Sequence, residues 1–261
     1  CFELEEKFAQ FLSETKEILG ASATSDERQI EIAISKLNHI ARKVGGLPGG
    51  GPVAQELLLE LMMEPVGHFL EPYKDTCWNL AQKLNKSLAP LKISTHSVMV
   101  VPEIYNSLFS TLIHALRNAV DHGIESPEIR QRAGKSMEGS IEIDVQVDTS
   151  AAHIMRILVK DDGCGIDPQR IRAKLGDRVS PHESDFEVIQ HIFDSQFSTR
   201  EQVTEISGRG VGMDAIKKAA EDLQGRAWVE SIPGQGSSLF IEVPYLTEFK
   251  KNSSEQPPQA A

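Results

Sequence analysis

The sequence predicts an α/β fold, and three observations predict it. Leu108 to Glu125, LFSTLIHALRNAVDHGIE, repeats apolar residues at three- and four-residue spacing (Leu108, Leu112, Ala115, Leu116, Ala119), the stripe of an amphipathic helix. Ser140 to Val147 alternates apolar and polar residues, His153 to Lys160 reads as a second strand, and the short link between them predicts antiparallel pairing. Ala227 to Ile232 and Leu239 to Val243 flank Pro233-Gly234-Gln235-Gly236, a hairpin.

The remaining elements follow in chain order. Residues 1–19 read as a helix with Leu4, Phe8, Phe11 and Ile18 on one stripe, and Gly20 to Ser25 as a turn. A second helix carries Ile30, Ile34, Leu37, Ala41 and Val44, and GGLPGGGP (Gly45 to Pro52) ends it. Residues 1–52 are thus expected to form a helical hairpin. Its narrow apolar seams bury little alone, so it should pair with a second copy or dock on the main domain, and a homodimer is the favoured outcome. His39 lies off the stripe and reads as an ordinary surface histidine rather than a phosphoryl acceptor.

The main domain is expected over residues 53–246. It opens with helices at about 53–63 and 73–86, then short strand-like pieces at Leu91, Ile93 and Val98 to Val101. Pro102 opens the central helix, where its missing N–H costs nothing, and Gly123 is expected to stop it. Short helices are expected at Pro127–Ala133, 167–175 and 184–193. Phe193 to Ser207 is polar and aperiodic, a candidate lid. A helix then runs from the glycines at 208–212 to Gly225. Residues 247–261, low in apolar side chains, are expected to be disordered.

Composition narrows the function. Forty per cent apolar and 25 per cent charged residues are ordinary for a globular chain with a sizeable core. A net charge of −11 argues against nucleic-acid or anionic-membrane partners, which reward clustered Lys and Arg. The three cysteines are widely spaced and odd in number, which suits a reducing cytoplasm better than a disulfide framework or a zinc site. No apolar run approaches the ~20 residues that span a bilayer, and no signal peptide is visible. Beginning at Cys1, the sequence reads as a fragment, and an upstream sensor or receiver domain is expected.

Three clusters can carry chemistry. His114, Asn118 and Asp121 sit at helical spacing, so their polar ends can converge on one object. Asp161-Asp162-Gly163-Cys164-Gly165-Ile166 places carboxylates at a strand end, followed by two glycines. An acidic side chain there can accept a hydrogen bond from a ligand amine, and the glycines permit close backbone approach. Cys164 reads as the variable position of that turn. Gly208-Arg209-Gly210-Val211-Gly212-Met213 opens a helix, and exposed amides at a helix start suit phosphate. The spacing is neither a P-loop nor a dinucleotide-binding GxGxxG.

In order and approximate spacing, HALRNAVDHGIE, DDGCGI, FSTRE, GRGVGMD and PGQGSS resemble the ATP-binding domain of histidine kinases, above all the chemotaxis-type kinases of the CheA class. The resemblance covers about residues 62–246. It implies a Bergerat-type two-layer α/β sandwich, a mixed sheet covered on one face by helices, with ATP between the sheet-side loops and the central helix. Asn118 is implied as the Mg²⁺ ligand, and Asp161 as acceptor of the adenine amino group, with Gly163, Gly165 and Ile166 shaping that wall. Gly208, Arg209, Gly210, Val211, Gly212 and Met213 are implied to wrap the phosphates, His114 to act near the γ-phosphate, and Asp121 and His122 to support that corner. Ser237 stands where the family usually has threonine. ATP-hydrolysing relatives carry Glu where this chain has His114, so histidine favours transfer to a protein over hydrolysis.

The function expected is an ATP- and Mg²⁺-dependent protein-histidine kinase of a two-component phosphorelay. Its acceptor histidine would lie on another domain or on a histidine-phosphotransfer protein, and the phosphoryl group would pass on to a response regulator. The alternatives are a non-catalytic nucleotide-binding switch and an anti-sigma-type serine kinase.

Overall fold

The structure is a computed structural model that describes residues 34–47, 49–51, 53–54, 61–148, 153–194 and 212–245. The first expected helix, most of the helix at 53–63, the polar segment at 195–211 and the tail at 247–261 lie outside the described residues. Two compact units are present, Cys1–Ala54 and Gln55–Ala261. In the first, one helix, α1 (Ile34–Gly45), is described, and it holds His39 exposed to solvent.

The second unit is built on a five-stranded sheet. Its strands are β2 (Lys92–Ser94), β4 (Ile141–Asp148), β5 (Ile154–Asp161), β6 (Arg226–Ile232) and β7 (Gly236–Pro244), in the spatial order β2-β4-β5-β7-β6. β2 runs parallel to β4 and the other pairs are antiparallel, so the sheet is mixed. A separate two-stranded ribbon pairs β1 (Glu64–Pro65) with β3 (Met99–Val100). The helices are α2 (Gly67–Leu70), α3 (Pro72–Lys83), α4 (Pro102–Asn118), α5 (Pro127–Arg132), α6 (Pro168–Leu175), α7 (Asp185–Gln190) and α8 (Met213–Asp222).

Strand alternation decides which face is covered. Ile141, Ile143 and Val145 of β4, Met155, Ile157 and Val159 of β5, and Leu239, Ile241 and Val243 of β7 are all buried. They share one core with Leu108, Phe109, Leu112 and Leu116, the stripe of α4. The opposite face carries Arg156, Glu242 and Arg226 in one row, where Glu242 accepts from both arginines, and a stacked Trp228–Phe240 pair. This is a two-layer sandwich of helices on one side of a mixed sheet. Tyr105 closes α4 onto β7 by donating to the Pro244 carbonyl at 2.7 Å, and Tyr73 ties α3 to α4 through the Phe109 carbonyl at 2.7 Å.

One expectation needs correction. The central helix is not α-helical up to a stop at Gly123. It leaves the α form after Asn118, and Ala119–Gly123 forms a π turn closed by the Ile124 amide on the Ala119 carbonyl at 2.7 Å. At this helix end the last carbonyls have no partner within the helix. The ammonium of Lys86 takes two of them, Val120 at 2.8 Å and Asp121 at 2.6 Å.

Candidate functional site

Period two along β5 carries a carboxylate into the core layer. Met155, Ile157 and Val159 face the core, and the next residue in the series is Asp161. Its side chain therefore enters the buried layer at the strand's end, where it is only 8 % exposed. Burial pushes its carboxyl up to about 6, and bonds from the Gly163 and Ser237 backbone amides pull in the opposite direction. The Gly163 amide lies 2.9 Å from the Asp161 carboxylate.

The loop after Asp161 is wedged between two neighbours. A side chain at Gly163 would collide with the Gly123 carbonyl group, and one at Gly165 with the Ile232 carbonyl. Gly165 also has a φ of +70°, a backbone setting that glycine adopts without strain. Hydrogen bonds hold the loop on both sides: Cys164 N to Gly123 O at 2.8 Å, Gly234 N to Cys164 O at 2.7 Å, and Ile166 N to the Ser231 hydroxyl at 2.8 Å. The DDGCGI loop is thereby fixed between the π turn and the β6–β7 hairpin.

These elements border a cavity of about 610 Å³. Asn118, Asp121 and His122 line it from α4 and its π turn, and Asp161, Gly165 and Ile166 from the end of β5. Gly212 and Met213 line it from the start of α8, and Ser237 from β7. Its floor is apolar, with Val159, Ile171, Val229 and Leu239 among the contributors. An apolar floor with a few convergent polar groups is the usual form of a small-molecule site. At the α8 end the Gly212 amide donates to Asp214 Oδ1 at 2.9 Å, so a carboxylate already answers the positive end of that helix.

Two expected residues sit differently from the rest. Gly163 lies behind the wall rather than on it, and serves through the close approach to Gly123. His114 is half-buried and does not line the cavity. Burial is the main influence on its imidazole and lowers its proton affinity. Arg117 adds to that lowering, while Asp214 opposes it. The lowered proton affinity favours the neutral imidazole near pH 7, and the influence of Asp214 brings His114 within electrostatic reach of the first turn of α8. Gly208, Arg209, Gly210 and Val211 lie outside the described residues.

Sequence reasoning missed several lining residues. Cys164, read from sequence as the variable position of its turn, is exposed and borders the cavity. Arg117, Asp167, Arg170, Lys174 and Asp194 also line it. Arg117 directly precedes Asn118 on α4. Arg170 and Lys174 are four apart on α6, a helical spacing whose direction into the cavity no local pattern reveals.

A magnesium ion was expected with the nucleotide. Among the described residues no group of three or more His, Cys, Asp or Glu side chains is placed to hold a metal. The donor chemistry still suits Mg²⁺, which keeps most of its waters and is commonly held by one or two protein oxygens together with substrate phosphates. The Asn118 amide, bordering the cavity one turn before Asp121, is such a donor. Among the described residues no helix is long and apolar enough to cross a membrane.

Comparison with known proteins converges on one family. Residues 105–247 match the family described as histidine kinase-, DNA gyrase B-, and HSP90-like ATPase. A chemotaxis protein CheA of Borreliella burgdorferi is 37 % identical over 193 residues, covering 72 % of this chain and 22 % of that protein. A gliding motility regulatory protein of Myxococcus xanthus is 43 % identical over 167 residues, covering 62 % of this chain and 21 % of that protein. A chemotaxis protein CheA of Salmonella typhimurium is 31 % identical over 242 residues, covering 92 % of this chain and 36 % of that protein. The chain thus spans between about a fifth and about a third of the length of these relatives.

Proposed function

This chain belongs to the histidine kinase-, DNA gyrase B- and HSP90-like ATPase family, and on that footing we propose that it is the ATP-binding catalytic part of a chemotaxis-type protein-histidine kinase. The observation that carries the reading is convergence. Asn118, Asp161 and the Gly212–Met213 helix start come from three distant stretches of sequence and border one cavity.

The roles proposed are those the family resemblance implies, and the geometry supports them. Asp161, ionised at neutral pH with a raised value of about 6, accepts the adenine amino group at the buried end. Its orientation is held by the Gly163 and Ser237 amides, so little reorganisation accompanies binding. The apolar floor covers the base. Asn118 offers the amide oxygen that would hold Mg²⁺, which when bound neutralises phosphate charge and orients the transferring group. The start of α8 and the glycines before it receive the phosphates. His114, neutral and within the electrostatic influence of Asp214 at that helix start, would hold or move a proton near the γ-phosphate. Asp121 and His122 support this corner, and Ser237 supplies a hydroxyl beside Asp161.

The acceptor is a histidine on another domain or protein, from which the phosphoryl group passes to an aspartate of a response regulator. The kinase works as a dimer through its N-terminal helices. The division into residues 1–52, 53–246 and 247–261 serves this arrangement: a dimerising segment, an ATP domain and a tail.

The test is incubation with γ-labelled ATP and Mg²⁺, alone and with histidine-phosphotransfer proteins, followed by assay of acid lability. Acid-labile label on an added phosphotransfer protein is the expected result. Label on the chain itself would identify an internal acceptor and revive His39. Tight nucleotide binding with no transfer to any protein would replace the kinase reading with a nucleotide-binding switch.

A further inference from the structure

Behind the base end of the cavity lies a closed ionic cluster that lines no part of the pocket except through the loop it holds. Arg130 of α5 is fully buried, with 0 % exposure. Its five N–H groups meet five acceptors. Nε donates to the Ser136 carbonyl at 2.7 Å, Nη1 to Glu125 Oε2 at 3.0 Å and the Asp162 carbonyl at 3.2 Å, and Nη2 to the Glu138 carbonyl at 3.2 Å and Asp162 Oδ2 at 2.8 Å. The three ammonium protons of Lys135 are also matched, by Glu125 Oε1 at 2.8 Å, the Asp162 carbonyl at 2.9 Å and the Gly163 carbonyl at 2.6 Å. Two cations face two carboxylates, so the cluster is neutral. Burial alone would raise the Glu125 and Asp162 carboxyls, yet the bonds from these cations and from backbone groups hold both below their usual range.

The cluster grips one peptide plane in particular. The Asp162 carbonyl accepts from both Arg130 and Lys135, and the other end of the same peptide unit, the Gly163 N–H, donates to the Asp161 carboxylate at 2.9 Å. A peptide unit is planar and rigid, so fixing its carbonyl fixes the direction of its N–H. From this geometry we infer that Glu125, Arg130, Lys135 and Asp162 form a positioning unit that aims the Asp161 carboxylate and thereby sets the site's preference for adenine over other bases. The inference rests on the nucleotide reading of the cavity. A carboxylate selects the adenine amino group over the guanine carbonyl only while its direction is held; a freely turning one could serve either base through water.

Lys135→Met is the informative variant, because it keeps the aliphatic stem while removing three donors, and Lys135 is partly exposed, unlike Arg130. Two measurements are made at a temperature where circular dichroism shows the fold intact. Amide hydrogen exchange is read at residues 161–166, and ADP and GDP affinities are read by calorimetry. The expected result is faster exchange confined to that loop, about a tenfold loss of ADP affinity as expected for lost charge-assisted bonds, and little change for GDP. Lys135→Arg should restore much of the preference. Glu125→Gln, an isosteric change, provides the same pair of readouts should Lys135→Met fail to fold. Unchanged loop exchange, or equal falls in ADP and GDP affinity, would overturn the positioning role and leave the cluster merely structural. A wild-type chain that binds neither nucleotide would remove the nucleotide reading itself, while the exchange comparison would still decide whether the cluster orders the loop.

Discussion

Asp161 and Gly163 close a turn through Asp162 in which the Gly163 amide donates to the Asp161 carboxylate at 2.9 Å, within the buried layer of the sheet. A strand's alternation drives the carboxylate inward, and the glycine turn brings a donor back to meet it. A polar group is thus kept in an apolar layer at the position where a ligand's donor can reach it.

That burial has a pH consequence. The Asp161 carboxyl is raised from 3.8 to about 6. Relative to the unfolded chain, its contribution to stability is greatest below pH 3.8 and is lost as pH rises through about 6. Nucleotide binding has the opposite requirement, since only the carboxylate accepts the adenine amine. ADP affinity should therefore be flat above pH 7 and fall by roughly tenfold per pH unit well below 6. Calorimetry across pH 4.5–8 checks this, and Asp161→Asn should both weaken binding and abolish the slope. A slope that survives the substitution would assign the proton elsewhere.

Asn118 offers the metal test. Asn118→Ala is expected to eliminate Mg²⁺-dependent ATP binding while the thermal transition stays within a few degrees of wild type. Its side chain borders the cavity rather than the core, so the fold does not depend on it. Equal ATP affinity with and without Mg²⁺ in both proteins would take the metal role away from this residue.

His114 separates binding from chemistry. It lies off the cavity wall, so His114→Ala should leave ADP affinity within about threefold and reduce phosphoryl transfer by about 10²-fold or more, the range for loss of a general acid–base group. Single-turnover transfer measured at saturating ATP distinguishes the two. Transfer at the wild-type rate would end its catalytic assignment.

His191 lies between two acceptors, with Nδ1 at 2.7 Å from Asp194 and Nε2 at 2.9 Å from Glu183. Only the imidazolium donates to both at once, and its hydrogen bonds to Asp194 and Glu183 raise its proton affinity above the ordinary 6.5. This contribution is fully present below pH 6.5 and lost as pH rises through the raised value. Because Asp194 borders the cavity, the loss should loosen that rim. A proton-NMR titration should place the His191 midpoint above 6.5, and His191→Phe should remove the corresponding step from the stability–pH curve. A midpoint at or below 6.5 would contradict the pairing.

The core can be checked by a single deletion. Leu112 is 0 % exposed in the middle of the α4 stripe. Leu112→Ala should cost about 2–5 kcal/mol, seen as an earlier urea midpoint at an unchanged slope.

Much of this architecture was legible in the residues. The apolar stripe from Leu108 to Ala119, the alternation at Ile141 to Val147, and Pro-Gly-Gln-Gly between two strand runs each express a period or a turn chemistry within a few neighbours. Asp161 could be placed at a strand end for the same reason. The π turn at Ala119–Gly123 could not, because nothing in AVDHG separates it from an α-helical ending. The ammonium that takes its Val120 and Asp121 carbonyls belongs to Lys86, some 34 residues earlier, a partner no local pattern reveals.

What the sequence by itself determined is therefore local: where helices and strands run, which side of each is apolar, and which short motifs carry carboxylates, amides and glycines. What only the tertiary structure decided is which of these meet. It turned Cys164 and Asp194 towards the cavity, set His114 off its wall, and closed Arg130 and Lys135 onto the peptide behind Asp161. The physical reason is range. Periodicity is fixed by backbone geometry over one or two turns, whereas a buried cation takes whatever acceptors the sheet order and helix packing bring within about 3 Å of it.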